Sequence, residues 1–352
     1  MMILPIFAVL VGCAFTAVPL IDPSTLRECP CNLSRLWLDV VVAIDSSKGM
    51  TAIGMTQVLA NVLTVFEDTK IAQGVGQHTR VGVVTYGEKA TMKYDLNEFQ
   101  SYEDASKKIW EIECGNDMYP NLMEALVVAN KLLNNGRKQN LRKNVKPVIL
   151  VYASNYRDKD FNDARELAEE IRRNGTDIVA VAFDQGGKID ALERMVEIAS
   201  PGHFFTSRLL YLSRSIKQAL CEVNCFCKSH WHHYTALIGR KIRKYGVCLQ
   251  IGEKDASWKS VSDCGRIFQG NCHGSGPNSP EYGFLAQTIG NKSLSAHNVG
   301  LSYNAEMDQY YWNQPAGSIP LKFERVSEDC LVSREYICQT QTCDTDNYCE
   351  DI

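Results

Sequence analysis

Asp45 and Ser47 stand at the end of an apolar, β-branched run, Leu36-Trp37-Leu38-Asp39-Val40-Val41-Val42-Ala43-Ile44, and offer the clearest chemistry in the chain. A carboxylate and a hydroxyl at this spacing present hard oxygen ligands to magnesium or calcium. The same pair can instead satisfy free N–H groups where a helix begins. The run before them reads as a strand buried on both faces. At the carboxyl end of a parallel strand, both side chains face the crevice where open α/β sheets bind ligands. Enzymatic chemistry lacks its residues. The chain has no Gly-x-Ser-x-Gly, no His-Glu-x-x-His and no phosphate-binding glycine loop, so it is not expected to be an enzyme. Ser229-His230-Trp231-His232-His233 is read as a surface histidine run, because zinc ligands on a helix would stand three or four residues apart.

The elements that must position Asp45 and Ser47 alternate between strand and helix from Trp37 to Phe205. Apolar spacing predicts a helix over 51–68, strands at 80–86 and 90–95, helices over 101–112 and 120–134, and a buried strand at 148–152. A helix over 161–173 closes at Asn174-Gly175, followed by a strand at 177–183, a helix over 189–199, a strand at 203–205 and a last helix over 213–222. Such alternation builds a doubly wound α/β domain around a mostly parallel sheet.

This order, with an Asp-x-Ser loop after the first strand, resembles the von Willebrand factor A module, placed at 33–223. The family holds a divalent metal through Asp-x-Ser-x-Ser, a Thr in a second loop, and an Asp in a third. Here Gly49 takes the fifth position of the first loop. The second loop, Gly115-Asn116-Asp117-Met118-Tyr119-Pro120-Asn121, has no Thr, and the third reads Ala153-Ser154-Asn155. Of the family's ligands only Asp45 and Ser47 remain, which implies a vestigial site with no cofactor beyond weakly held magnesium or calcium. Asp117 and Asp158 are the carboxylates available as substitutes.

After Cys225-Phe226-Cys227 the periodic helices stop, and Trp, Gly, Asn and Cys recur at wide spacing. Cys227 and Cys248 flank Trp231, Trp258 precedes Cys264, and Cys330 and Cys338 follow Val299-Gly300-Leu301 and Tyr310-Tyr311-Trp312. This pattern resembles a disulfide-rich α+β C-type lectin-like domain of the long form, placed at 227–340 and followed by a short tail, 341–352. The resemblance implies bridges Cys227–Cys248 and Cys264–Cys338. Cys330 has lost its usual partner, and Cys272 is the substitute. The family's calcium loop is reduced to Gln314-Pro315-Ala316, and Arg325-Val326-Ser327-Glu328-Asp329 stands where Trp-Asn-Asp is usual. Calcium-dependent sugar binding by the family mechanism is therefore not expected, and Glu324, Glu328 and Asp329 read as a solvated acidic edge.

The chain has 352 residues, a formal charge of −4 and 14 cysteines. That charge leaves no basic footprint for nucleic acid. Residues 1–17 read as a secretory signal peptide, and no later apolar run is long enough to span a bilayer. Removing Cys13 leaves an odd number of cysteines, which suits an oxidising compartment with one thiol over. Cys29 and Cys31 flank the start of the first module and Cys221 and Cys225 its end, and either pairing would staple it. Cys343 and Cys349 can close a small tail loop, which leaves Cys114 as the free thiol. Asn32, Asn174 and Asn291 begin N-glycosylation sequons. The two resemblances together imply a secreted glycoprotein of extracellular adhesion or innate recognition, similar to secreted nematode lectin-like proteins, that binds a protein or glycan ligand. A structural matrix or cuticle component is the alternative.

Overall fold

The computed structural model describes residues 28–138, 142–156, 163–185, 192–238, 241–255, 297–298, 301–304, 309–312, 322–323 and 334–350. The chain divides into two compact units. One joins Cys29–Phe226 to Cys343–Ile352, and the other contains Cys227–Thr342. The signal segment 1–17, Asp158, Trp258, Cys264, Cys272, Asn291, Cys330 and the loops at 314–316 and 325–329 lie outside the described residues.

The larger unit is built on a six-stranded sheet of β1 (Leu38–Asp45), β2 (Arg80–Tyr86), β3 (Ala90–Tyr94), β4 (Lys146–Ala153), β5 (Asp177–Ala182) and β6 (Phe204–Thr206). Its order is β3-β2-β1-β4-β5-β6, with only β3 antiparallel. The helices are α1 (Ala52–Phe66), α2 (Tyr102–Ile109), α3 (Leu122–Lys138), α4 (Arg165–Arg173) and α5 (Leu212–Val223). Period-two alternation along β1 sorts the core. Leu38, Val40, Val42 and Ile44 pack with α1, α2 and α5 on one face, while Val41 and Ala43 pack with α3 and α4 on the other. Asp39 and Asp45 share the second parity, one near each end of this central strand.

Two helices differ from their sequence expectation. Residues 163–164 are not helical, so the described part of the helix expected over 161–173 is Arg165–Arg173. Of the helix expected over 189–199, described residues 192–193 are helical and run into a 3₁₀ turn at Arg194–Glu197. Met195 is its buried residue, with Leu192 before it and Ile198 and Ala199 after it also buried.

Disulfides join Cys29 to Cys225 and Cys31 to Cys221, across 196 and 190 residues. Closing the first such loop is worth about 5 kcal/mol in the chain-entropy account. Cys343 is bonded to Cys349, within the larger unit.

In the second unit, β7 (His232–Ile238), β8 (Lys241–Asp255), β13 (Arg334–Gln341) and β9 (His297–Asn298) form one sheet. β10 (Leu301–Asn304), β11 (Gln309–Trp312) and β12 (Lys322–Phe323) form another. Cys227 is bonded to Cys248 of β8. Cys338 lies on β13 opposite Gln250. The histidine run enters β7, where His233 Nε2 lies 2.8 Å from the Tyr245 carbonyl oxygen.

Candidate functional site

β1 ends at Asp45 between the carboxyl ends of β2 and β4, so Asp45 stands at the centre of the sheet's open edge. Its carboxylate is buried and fully engaged. Oδ1 accepts from Ser47 N at 2.8 Å, and Oδ2 accepts from Ser154 N at 2.9 Å and from Ser154 Oγ at 2.5 Å. Burial raises its pKa above the usual carboxylate value, and the neighbouring Ser154 and Ser47, through side chain and backbone, oppose that rise. Tyr86, register partner of Asp45 on β2, donates to the Tyr152 carbonyl at 3.1 Å. Complete burial first, and then the Asp45 charge, hold the phenol far above its ordinary pKa.

Ser47 is also buried, yet its Oγ has no hydrogen-bond partner. Gly49 lies beside it. A Cβ at Gly49 would stand 3.1 Å from Ser154 Oγ and 3.6 Å from Ser47 Oγ. The three loop positions that would hold a metal thus converge, but Gly49 brings no side-chain oxygen.

The second loop packs on the first through Gly115 N to Ser46 O at 2.7 Å and Lys48 N to Asp117 O at 2.9 Å. Asp117 does not turn to Asp45. Its Oδ2 accepts from Glu88 N at 2.9 Å and so closes the turn after β2. Magnesium or calcium needs six or more oxygens, at near-octahedral geometry for magnesium. Asp45, Ser47 and Ser154 offer one carboxylate, already accepting three hydrogen bonds, and two hydroxyls. This set does not fit a tightly held divalent ion.

Thr51 ties three loops together at the same edge. Its Oγ1 accepts from Gly54 N at 3.0 Å, capping α1, and donates to Gln185 Oε1 at 2.9 Å. Its carbonyl accepts from Cys114 Sγ at 3.1 Å. Its φ of 56° is unusual for a β-branched residue and costs of order 1–3 kcal/mol, held by these surrounding bonds. Cys114 is the free cysteine among the described residues. Burial, and then the Asp45 charge, push its thiol pKa up, so it is a poor nucleophile.

Exposed apolar side chains also lie along this edge of the sheet, beside charged ones such as Lys48 and Arg208. Ile53, Met118, Tyr119, Leu210 and Tyr211 all stand on loops or helix starts at the carboxyl ends of the strands. Leu210 is 82% exposed, Ile53 74% and Tyr211 66%. Among the predicted glycosylation residues, Asn32 and Asn174 are exposed.

Sequence reasoning missed Ser154, because a search for the family's Asp passes over a Ser. It also missed the Asp39–Arg80–Arg142 cluster at the other end of β1, although a charge inside an apolar run is itself a signal.

Residues 39–216 match the model of the von Willebrand factor type A domain. Over 368 aligned positions the chain is 28% identical to C-type lectin domain-containing protein 160 of Caenorhabditis elegans, covering 92% of this chain. It spans 56% of that relative's length. Among solved structures it is similar to proximal thread matrix protein 1 from the mussel byssus, with TM-score 0.42 and 18% identity over 52% of this chain and 44% of that one. It is also similar to the manganese-loaded Plasmodium vivax TRAP protein, with TM-score 0.44 and 14% identity over 54% of this chain and 75% of that one.

Proposed function

The chain belongs to the von Willebrand factor type A domain family, and from that membership we propose that it is a secreted, extracellular adhesion or recognition protein that is not an enzyme. Its second module is lectin-like, a reading supported by the name of the Caenorhabditis relative and by the Cys227–Cys248 bridge. The disulfides fit an oxidising compartment. Among the described residues no helix is long and apolar enough to cross a membrane.

The larger unit recognises its ligand, protein or glycan, at the carboxyl edge of the sheet and without strong metal dependence. The observation that carries this is the contrast along that edge: a carboxylate saturated by Ser47 and Ser154 at its centre, and exposed Ile53, Leu210 and Tyr211 on the loops and helix starts of the same edge. Large apolar groups left exposed on one edge of a domain favour that edge as an interaction surface.

The test is a screen of the secreted chain against glycans and extracellular proteins, with and without a chelator. The expected result is saturable binding that survives chelation and falls at least tenfold in Leu210→Asp. Binding abolished by chelation overturns metal independence. Absence of saturable binding favours a matrix spacer instead.

A further inference from the structure

Residues 343–350 follow the second module in sequence but are built into the first. The chain leaves the larger unit at Phe226 and re-enters it at Cys343, and these two residues pair directly. Phe226 N donates to Cys343 O at 3.0 Å, and Cys343 N donates to Phe226 O at 2.8 Å. The loop that follows is seated on the residues leading into β1. Trp37 Nε1 donates to Asp344 O at 3.0 Å, and the Trp37 ring lies 4.8 Å from Tyr348 and 5.4 Å from Phe226 between centroids. Asn144 Nδ2 donates to Cys349 O at 2.6 Å, and Gln77 Nε2 to Thr345 O at 2.8 Å. Thr345 Oγ1 accepts from Asn32 N and donates to Pro30 O, both at 3.1 Å. Trp37, Asn144, Cys343 and Thr345 are all buried by this arrangement.

We propose that the second module is an insertion in the first, and that the Cys343–Cys349 loop is a structural element of the A module, seated against the segments that lead into β1, β2 and β4 at the amino end of its sheet. The loop is preorganised for that seat. Asp344 Oδ1 accepts from Asp346 N at 2.9 Å and Asn347 N at 3.0 Å, and the disulfide closes the ring. A ligand held in its bound shape loses less entropy on docking. Among the described residues no disulfide ties the loop to the rest of the larger unit, so its hold is non-covalent. The second module's chain is therefore gripped twice, by the Cys29–Cys225 bridge before it and by this bound loop after it.

The experiment compares hydrogen exchange in the full chain with that in a chain ending at Gln341. Truncation should remove protection from residues 36–39 and 143–146 while leaving 148–152 protected. An oxidised synthetic peptide of residues 342–351, added to the truncated chain, should restore that protection saturably. The peptide with both cysteines replaced by serine should need several-fold more. In case the truncated chain fails to fold, the full chain carrying Trp37→Phe keeps the ring but loses the donor to Asp344 O. It should exchange about tenfold faster across 343–350, as expected for a local opening that lacks one buried bond. Unchanged protection after truncation, or unchanged exchange in Trp37→Phe, overturns the proposal.

Discussion

The two ends of β1 carry the same residue type on the same face and solve the same problem in opposite ways. Six residue steps, about 20 Å of strand, separate Asp39 from Asp45. At the amino end Asp39 accepts from Arg80 Nε and Nη2 at 3.0 and 2.6 Å and from Arg142 Nε at 3.1 Å. Arg142 goes on to the carbonyl oxygens of His78, Gly74 and Gly76. All three charged side chains are nearly inaccessible. At the carboxyl end no salt bridge reaches Asp45 among the described residues, and its charge is met by hydroxyl and amide dipoles alone. A buried carboxylate is compatible with the fold in both forms. The difference lies in what compensates it. Protein cations make a closed structural knot at Asp39, whereas at Asp45 the hydroxyl and amide of Ser154 supply the compensating dipoles.

The comparison breaks most sharply at Asp39. Removing it leaves two buried guanidinium groups without a counter-charge, and breaking a buried pair in this way costs about 3–5 kcal/mol. Asp39→Ala should lower unfolding stability by that amount in denaturant titrations. Replacing Asp39, Arg80 and Arg142 together by apolar residues of similar size should recover much of it, because the desolvation cost of the ions disappears with their attraction. A loss below 1 kcal/mol for Asp39→Ala would mean that the cluster is solvated in practice.

The same end should also carry the main acid sensitivity. His78 Nε2 lies 2.8 Å from Arg142 Nη1, which donates, so His78 is the neutral acceptor. Burial first, then the charges of Arg142, Lys70 and Arg80 against the opposing Asp39, lower its pKa to about 4. A depressed folded pKa gives stability that is present above the unfolded value, 6.5 for this group, and is lost as pH falls towards 4. At about 1.4 kcal/mol per unit, the full effect is on the order of 3 kcal/mol. Asp45 acts with the reverse sign. Its raised folded pKa means that burial costs the ionised form, so its share of stability grows as pH falls through that pKa. Unfolding free energies measured between pH 7 and 4 should therefore decline, and His78→Gln should flatten the decline. An unchanged slope in that variant would place the sensitivity elsewhere.

Most of the larger unit was legible because its elements are locally encoded. β1, β2, β4 and β5 are continuous apolar runs, and α1 and α5 follow helical spacing. What could not be read is whatever depends on partners distant in sequence. Asp39 meets Arg80 and Arg142 across 41 and 103 residues, and Trp37 meets Asp344 across 307. No periodicity announces such pairs. The site was half legible. Asp45 and Ser47 were visible as a motif, whereas the hydroxyl of Ser154 becomes meaningful only when β4 brings it 2.5 Å from Asp45 Oδ2. Asp117, a plausible substitute by its place in the second loop, is diverted by a backbone amide at Glu88 that sequence alone does not reveal.

The smallest expected effect is the most discriminating for the carboxyl end. Magnesium, manganese and calcium should leave the melting temperature of the chain nearly unchanged, although an ion at 100 times its dissociation constant would add about 2.7 kcal/mol. Asp45→Asn should cost only about 1 kcal/mol, with or without metal, because an amide oxygen keeps one acceptor and burial already disfavours the charge. The comparison sharpens if the lost oxygens are returned. Gly49→Ser with Ser154→Asp places a hydroxyl and a second carboxylate beside Asp45, where the Cβ position at Gly49 already stands 3.1 Å from the residue-154 hydroxyl. Two carboxylates sharing one buried site repel, so this variant should be less stable than the native chain in chelator and should regain stability on adding magnesium. The native chain should show neither response. A native melting temperature that falls in chelator, with the fall erased by Asp45→Asn, would mean that Ser47 and Ser154 hold an ion after all. The amino end of the strand would then be its only charge-saturated end.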